Sequence, residues 1–236
     1  MYVFNFLILI MLTIQTMLES GVHFGHHVQR WNPKMAPYIY CANNKMHIID
    51  IVKTRTYLTK ICQFLIQTTD QTTEFLFVGT KLQAASEIKA RALDCSAHYV
   101  NHRWLGGMLT NWNTMKTCIQ KLRDLEFQEE SGVFEQLPKK EVAILRKRKE
   151  RLEKNFAGIK DMKGLPDYVI IVGQPTETNA VKECLDLQIK TITILDTNCD
   201  PSLTNFFIPG NDDSMKSISL ILGELSDAIK QARNKA

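Results

Sequence analysis

The sequence predicts an α/β protein in which a doubly wound, mostly parallel sheet is interrupted by an inserted antiparallel coiled-coil hairpin. Short, continuous apolar runs alternate with amphipathic helical segments in both halves of the chain. This alternation is typical of parallel strands that are covered on both faces. Between residues 108 and 156 the alternation stops, and two helical segments carry a narrow apolar stripe typical of a two-helix seam.

The first half of the chain supplies the early elements of the sheet. We expect a short helix over residues 13–20, ended by Gly21, and then an irregular, exposed loop that runs to Pro37. The expected strands are residues 37–41, 46–49, 75–78 and 97–100. Asp50 is expected to cap a helix with apolar residues at Ile51, Leu58, Ile61 and Leu65. A second helix is expected to turn Leu82, Ala85, Ile88 and Ala92 towards the sheet.

The middle of the chain predicts the hairpin. Its first helix, residues 108–127, has apolar residues at Trp112, Met115, Ile119 and Leu122. Pro138 is suited to the first position of the second helix, in which Val142, Leu145, Leu152 and Phe156 follow heptad spacing with Lys149 at the seam. The predicted organisation is an apolar leader at 1–12, an α/β domain at 13–107 and 157–236, and the coiled-coil hairpin at 108–156.

The second half of the chain returns to the α/β pattern. Strands are expected at residues 168–172, 191–195 and 206–208, with a helix over 177–187. The run Asn211-Asp212-Asp213-Ser214 is expected to cap a last helix. That helix has apolar residues at Met215, Ile218, Leu222, Leu225 and Ile229.

Composition indicates a soluble globular chain in a reducing compartment. The 236 residues can bury a sizeable core, and the formal charge of +4 is too small to indicate a partner. The six cysteines contain no C-x-x-C pair, so we interpret them as small buried hydrophobes. The apolar leader lacks a basic n-region and a cleavage site and is shorter than a membrane span. Packing as a helix, contact with a neighbouring protein and a misassigned start codon all fit it.

Residues 101–112 combine two Trp, an Arg, an adjacent Gly pair and amide side chains. Such a mixture suits a surface on which aromatic planes stack and Arg and Asn hydrogen-bond to RNA. The alternative is an ordinary turn whose Trp side chains cover the core. Weighing both, we expect a turn whose outer face meets RNA, with Trp104 exposed beside Arg103 and Trp112 directed inwards. The loop at Arg30-Trp31-Asn32-Pro33-Lys34 repeats the same chemistry.

Positive charge is concentrated in the second hairpin helix, where residues 139–154 hold eight Lys or Arg against three Glu. A localised basic surface is the electrostatic footprint of nucleic-acid binding. A solvated helix face with i,i+4 ion pairs is the alternative.

A catalytic or metal site has weak support. Gly79-Thr80-Lys81 lacks the upstream glycine of a phosphate loop, and Pro175 removes an N–H from the turn after Gly173. We interpret Asp196 and Asp200 as turn formers. The six histidines (23, 26, 27, 47, 98 and 102) lack the paired spacing of a zinc site, so loop packing or RNA contact is favoured for them. We therefore expect no cofactor and no metal.

Several stretches together resemble one family. They are residues 17–26, which include Glu19-Ser20-Gly21-Val22-His23-Phe24-Gly25-His26, the loop 30–35, the stretch 99–112, and Gly164-Leu165-Pro166-Asp167 with the strand after it. Residues 195–201 and 208–213 add to the likeness. In these positions the chain resembles ribosomal protein S-two of the small ribosomal subunit, in its bacterial and plastid form, from Thr13 to the C-terminus.

The resemblance implies a flavodoxin-like domain with a coiled-coil insertion and a structural function without catalysis. It implies binding to 16S-type ribosomal RNA between the head and body of the subunit, next to other small-subunit proteins, with the S-one protein as a candidate neighbour and no membrane partner. The amino-acid sequences of the motifs and the lack of a transit peptide favour an organelle-encoded protein of the plastid ribosome, with a bacterial cytoplasm as the alternative. The expected RNA-binding residues are His23, His26, Arg30, Trp31, Asn32, Lys34, Lys45, Asn101, Arg103, Trp104, Thr110, Asn111, Lys147 and Arg148.

Two rival functions fit the predicted fold. A nucleotide-binding enzyme would use the strand ends at Gly79 or Gly173. A free coiled-coil adaptor would bind all its partners through the hairpin.

Overall fold

A computed structural model describes residues 13–235. The apolar leader and its three suggested roles lie outside the described residues. The helices are α1 Ile14–Glu19, α2 Ile51–Thr68, α3 Leu82–Asp94, α4 Trp112–Glu130, α5 Lys139–Phe156, α6 Thr178–Asp186 and α7 Met215–Arg233. The strands are β1 Phe24–His27, β2 Ile39–Asn43, β3 Met46–Ile49, β4 Phe75–Val78, β5 His98–Val100, β6 Tyr168–Val172, β7 Lys190–Leu195 and β8 Phe206–Pro209.

The main sheet has five parallel strands in the order β5-β4-β6-β7-β8. Because side chains alternate across a strand, each buried strand supplies both faces of the sheet. In β4, Phe75 and Phe77 join the core under α2, α3 and α7, whereas Leu76 and Val78 join the core under α4, α5 and α6. Helices therefore cover both faces, which confirms the predicted doubly wound α/β fold.

A second, antiparallel sheet has the order β1-β3-β2 and packs against the end of the main sheet. The prediction of an irregular loop over residues 21–37 is wrong, because this stretch contains β1 and two short 3-10 helices, Val28–Arg30 and Pro33–Tyr38. Its glycines are used for close packing. A Cβ on Gly25 would lie 2.6 Å from Cγ2 of Thr197, so only glycine lets β1 approach the main sheet this closely.

Near the end of α4, Glu129 bonds Lys149 at 2.7 Å and Arg146 at 3.2 Å. Glu126, earlier in α4, bonds Lys160, which follows α5, so the two hairpin helices run antiparallel. Trp112, as predicted, is buried at the base of α4. Lys149 occupies the seam and is half-buried. The first helix begins at Trp112 rather than at 108, because the preceding residues form a turn. The boundaries of a separate hairpin domain stay a prediction.

Two helix faces differ from the prediction. Leu82 is 87% exposed, and the face of α3 that meets the sheet is Ala84, Ile88 and Ala92. Leu82 lies two residues before Ala84, roughly 200° around the helix, and therefore points away from the sheet. Met215, the first residue of α7, is likewise 51% exposed.

All six cysteines are free. Cys62, Cys95, Cys184 and Cys199 are buried as expected, Cys118 is half-buried, and Cys41 is exposed, against the expectation. Burial raises the pKa of the Cys95 thiol to about 11, which keeps that thiol protonated at neutral pH. Among residues 13–235, no helix has the length and apolar character needed to cross a bilayer.

Candidate nucleic-acid interface

The turn between β5 and α4 is held by one buried carboxylate, that of Glu183 on α6. Oε1 of Glu183 accepts hydrogen bonds from Trp104 Nε1 at 2.9 Å and from the Gly107 N–H at 2.8 Å. Oε2 accepts from the N–H groups of Leu109 and Thr110 at 2.9 and 3.1 Å and from the Thr110 hydroxyl at 3.2 Å. Five donors thus converge on one side chain, and the turn has a single well-defined shape.

This arrangement explains how a charge is tolerated at a site that is only 7% exposed. Burial opposes ionisation, but the hydrogen bonds from Trp104, Leu109, Thr110 and Gly107 outweigh it and hold the pKa of Glu183 below its usual value. A buried carboxylate that lacked such donors would cost several kcal/mol, of order ~3 kcal/mol or more. The donors of the turn therefore stabilise the ionised Glu183 side chain, and Glu183 in turn stabilises the conformation of the turn.

The prediction that Trp104 is exposed is wrong. Its side chain is 7% exposed and packs in the core with Met108 and Leu109. The indole N–H of Trp104 donates to Glu183 inside the fold. The buried ring is therefore not available for stacking on a base. Arg103, by contrast, is exposed as predicted, and no ion-pair partner for it lies in the described part of the chain.

A second group of exposed side chains lies at the corner where β1 ends. The backbone N–H of Val28 bonds the carbonyl of Lys45 at 2.9 Å, which places Arg30 and Lys45 at one corner. Trp31 is 40% exposed, and its ring lies 5.4 Å from the ring of His47. Arg30 and Lys45 are both exposed, with no salt bridge from either among residues 13–235. We call Arg30, Trp31 and Lys45 the tryptophan corner.

The tryptophan corner and the turn between β5 and α4 both lie at the carboxyl edge of the main sheet. The Asn32 N–H bonds the carbonyl of Thr197, just after β7, at 2.8 Å, and the His26 N–H bonds the Thr197 hydroxyl at 2.9 Å. The turn after β5 leaves the same edge, because β5 and β7 are parallel. Strands β4 and β6 lie between β5 and β7, so the ends of β5 and β7 are roughly 14 Å apart at the usual strand spacing.

Between these groups lies a compact charged cluster formed by His26, Lys81, Asp196, Asp212 and Asp213. Nδ1 of His26 is 2.9 Å from Asp196, and Lys81 Nζ is 2.6 Å from Asp212 and 2.8 Å from Asp213. The hydrogen bond that His26 donates to Asp196 raises the pKa of His26 despite partial burial. Burial and the nearby Asp196 raise the pKa of Asp212 to about 6.

Four of these residues could also hold a divalent cation. One donor atom from each of His26, Asp196, Asp212 and Asp213 lies within 4.8 Å of the others, and imidazole with carboxylate oxygens is a common ligand set. The histidines are candidate ligands in the sequence, but no local pattern associates His26 with these carboxylates.

The same cluster occupies the places where a nucleotide enzyme would bind phosphate. Lys81 is engaged by two carboxylates, and Thr80 donates both its N–H and its hydroxyl to Glu177. The side chain of Lys81 also lies against Gly173, where a Cβ would be 2.9 Å from Cε of Lys81. Because these donors are already engaged by carboxylates, neither glycine turn offers them to a phosphate, and the geometry argues against the nucleotide-site alternative.

Several of the expected RNA-binding side chains make internal contacts instead. Lys34 bonds Asp200 at 2.7 Å and Ser202 at 2.8 Å. Asn32 caps the 3-10 helix after it through Lys34 N–H, and Asn101 donates to the carbonyl of Ala85. Asn111 is exposed and accepts from the Thr114 hydroxyl. His23 is half-buried, and burial lowers its pKa.

Lys147 and Arg148 lie on the outer face of α5, exposed and away from the seam. They belong to the hairpin and make no contact with the tryptophan corner. The structure thus places the exposed candidates in three groups: the tryptophan corner, the turn with Arg103 and Asn111, and the basic face of α5.

Sequence reasoning missed Glu183 and Asp212 as organising residues. Glu183 lies on the inner face of an otherwise apolar amphipathic helix, between Ala180 and Cys184. A lone Glu at such a position indicates a buried, bonded carboxylate, but its partners, more than 70 residues earlier, have no sequence signal.

Comparisons with known proteins identify the family of this chain. The model of the family described as Ribosomal protein S2 matches residues 17–232. The chain belongs to the ribosomal protein S2 family. It is 54% identical to small ribosomal subunit protein uS2c of Rhodomonas salina, over 94% of this chain and 91% of the relative. It is 55% identical to uS2c of Guillardia theta, over 92% and 93%. It is 52% identical to uS2 of a Synechococcus strain, over 94% of this chain and 84% of the relative.

Membership of the S2 family confirms the resemblance on which the functional expectation rests. The relatives are structural proteins of the small ribosomal subunit and not enzymes, so the chain has a structural ribosomal function. The algal relatives are chloroplast-type uS2c proteins, which supports the plastid ribosome as the location of this chain.

Proposed function

We propose that this chain binds 16S-type ribosomal RNA of the plastid small subunit through the carboxyl edge of its main sheet. The observation that carries the proposal is the placement of exposed cations, which have no ion pair among residues 13–235, on both sides of an edge whose own carboxylates are engaged. Arg30 and Lys45 lie on one side, and Arg103 lies on the other. Asp212 and Asp213, which would repel phosphate, are paired with Lys81 between them.

The side chains at this edge have complementary chemistry for RNA. Arg30 and Arg103 carry planar guanidinium groups that can bind a phosphate through two N–H donors. Trp31 offers an exposed ring face on which an unpaired base can stack. Asn111 keeps its amide donors available beside the turn, since its recorded bond uses the amide oxygen. Trp104 and His26 are not part of this proposal, because their polar atoms bond inside the fold.

The basic face of α5 extends the surface along the hairpin. Arg146 and Lys149 are paired with Glu129, so part of the charge of this helix is neutralised. Lys147 and Arg148 lie one and two residues beyond Arg146, exposed and without a recorded ion pair in the described chain. We infer that they contact phosphates of a second RNA segment.

The resemblance also supports a position between the head and body of the subunit, beside other small-subunit proteins. Docking of the S-one protein is tested separately from RNA binding, by cross-linking within purified plastid subunits.

The direct experiment measures binding of the full-length chain to a plastid 16S-type transcript across a salt series. Neutralisation of several phosphates predicts that log K, where K is the association constant, falls linearly with the logarithm of the salt concentration. Each phosphate contact contributes about 0.7 to 0.9 to the magnitude of that slope. A second arm compares an Arg30→Ala, Lys45→Ala double variant with Lys60→Ala, a change at an exposed lysine on α2 away from the carboxyl edge. The proposal predicts a shallower slope for the double variant only. Equal slopes for all three proteins, or salt-independent binding, would contradict it.

A further inference from the structure

The buried carboxylate of Glu183 makes hydrogen bonds that the sheet and its helices do not themselves require. Its carboxylate accepts all five of its hydrogen bonds from a seven-residue turn, 104–110, that precedes the hairpin. Three of the donors are backbone N–H groups, those of Gly107, Leu109 and Thr110. Backbone donors that converge in this way would otherwise form an anion-binding cradle.

The cradle is filled from within the protein. Glu183 reaches it from α6, on the face of the sheet that the hairpin base also covers. A phosphate of RNA is therefore excluded from these N–H groups, and the outer side of the turn must use side chains instead. The exposed side chains beside the turn include His102, Arg103 and Asn111, whereas the Thr110 hydroxyl faces Glu183. Gly107 has φ +80°, a conformation that glycine adopts readily, at the point where its own N–H and those of Leu109 and Thr110 turn towards one carboxylate.

We propose that Glu183 is a positioning residue, which holds the 104–110 turn in the conformation that presents Arg103 to ribosomal RNA. The inference rests on the proposed function and deepens it, since Glu183 itself never meets the RNA. Without the carboxylate, three backbone N–H groups and the Trp104 indole lose their shared acceptor. The turn then samples other conformations, and the guanidinium of Arg103 no longer has a fixed position.

The chain offers a matched control in Glu177. Glu177 is also buried, at 2% exposure, lies directly before α6, and accepts two hydrogen bonds from Thr80. Its partners belong to the turn after β4 and not to the 104–110 turn. Glu177→Gln and Glu183→Gln are therefore equivalent in chemistry and burial, and they differ in which turn is released.

The test uses the full-length chain and a 16S-type transcript, with thermal unfolding measured for every variant. Glu183→Ala is expected to weaken binding about tenfold, comparable to loss of one charged contact. If Glu183 acts through Arg103, then Arg103→Ala adds less than about twofold in the Glu183→Ala background, because the two residues serve one contact. Hydrogen exchange should accelerate at the amides of residues 107–110, while the amides of β4 and β6 stay protected.

Glu183→Gln keeps the shape of the side chain and provides the test if the alanine variant does not fold. It replaces one acceptor oxygen by an NH2 donor, so it is expected to weaken binding in the same direction, whereas Glu177→Gln leaves binding unchanged. Wild-type affinity in Glu183→Ala or Glu183→Gln would overturn this inference and leave the proposed function intact. Additive effects of Glu183 and Arg103, or an equal loss in Glu177→Gln, would also overturn it. Failure of the unmodified chain to bind RNA would instead overturn the proposed function.

Discussion

His26 on β1 and Asp196 at the end of β7 form a 2.9 Å contact that joins the small antiparallel sheet to the main parallel sheet. The second nitrogen of His26 lies 3.3 Å from Asp213 on the loop before α7. A histidine with carboxylates at both nitrogens is stabilised in its doubly protonated form. The contact therefore ties three separate parts of the chain together through a group that titrates near neutral pH.

The stabilisation contributed by His26 is expected to fall as the pH rises from 6 to 8. The pKa of His26 is raised above its usual value, mainly by the hydrogen bond to Asp196, so its stabilisation is fully present below the unfolded pKa of about 6.5 and is lost as pH rises through the folded pKa. Asp212 acts in the same direction at lower pH. Its pKa of about 6 in the fold exceeds the ordinary 3.8, so stability is lost as it ionises between these values. Urea unfolding at several pH values measures this.

A His26→Gln variant separates the histidine from other titrating groups. We expect it to be less stable than the unmodified protein at pH 6 and to show a flatter profile between pH 6 and 8. His102→Gln is the control, because His102 is exposed on the turn after β5. Unchanged pH dependence in His26→Gln would show that the contact with Asp196 does not contribute to the profile.

The sheet was predictable because buried parallel strands produce continuous apolar runs. Phe75–Val78 and Tyr168–Val172 are buried at every position, and neither face has to be distinguished from the other. Strand β1 was not predictable in the same way. Phe24–His27 contains one glycine and two histidines, and it forms a strand because β3 pairs with it and Thr197 accommodates Gly25.

The residue types of the site were predictable from the sequence, but which of their side chains are exposed and which are buried was not. Arg30, Trp31 and Arg103 are exposed as expected. Trp104 is buried because Glu183 offers an acceptor for its N–H, and that acceptor lies 79 residues away in sequence. Local patterns cannot report such a pairing.

Trp104 and Trp112 should respond differently to the same substitution. Both are buried, but Trp104 Nε1 donates to Glu183, whereas Trp112 Nε1 is buried without a partner among the described residues. Trp104→Phe leaves a buried carboxylate with one donor fewer and is expected to cost about 1 to 3 kcal/mol beyond the loss of ring volume. Trp112→Phe removes an unsatisfied donor, so its cost is expected to be smaller. Chemical denaturation of both variants makes the comparison, and equal costs would contradict it.

Gly158 should tolerate no side chain. It lies in the short 3-10 helix Ala157–Ile159 that follows the hairpin, where a Cβ would be 2.1 Å from the carbonyl oxygen of Tyr99 on β5. Gly158→Ala forces the hairpin base away from the edge strand and is expected to destabilise the protein by about 3 kcal/mol or more. Gly106→Ala is the control, because nothing lies within 4 Å of its added Cβ. A thermal melt in which both variants match the unmodified protein would contradict the packing described here.

Arg103→Ala separates the RNA-binding function of the turn from its structural function. The guanidinium is exposed and has no recorded bond within residues 13–235, so its removal is expected to leave the free energy of unfolding within about 0.5 kcal/mol of the unmodified value. RNA affinity is expected to fall, and the slope of log K against log salt should drop by roughly one contact. Lys60→Ala, at an exposed lysine within α2, changes charge by the same amount and should alter neither quantity. Parallel loss of stability and affinity in Arg103→Ala would show that the side chain supports the fold and that the phosphate contact belongs to another residue of the edge.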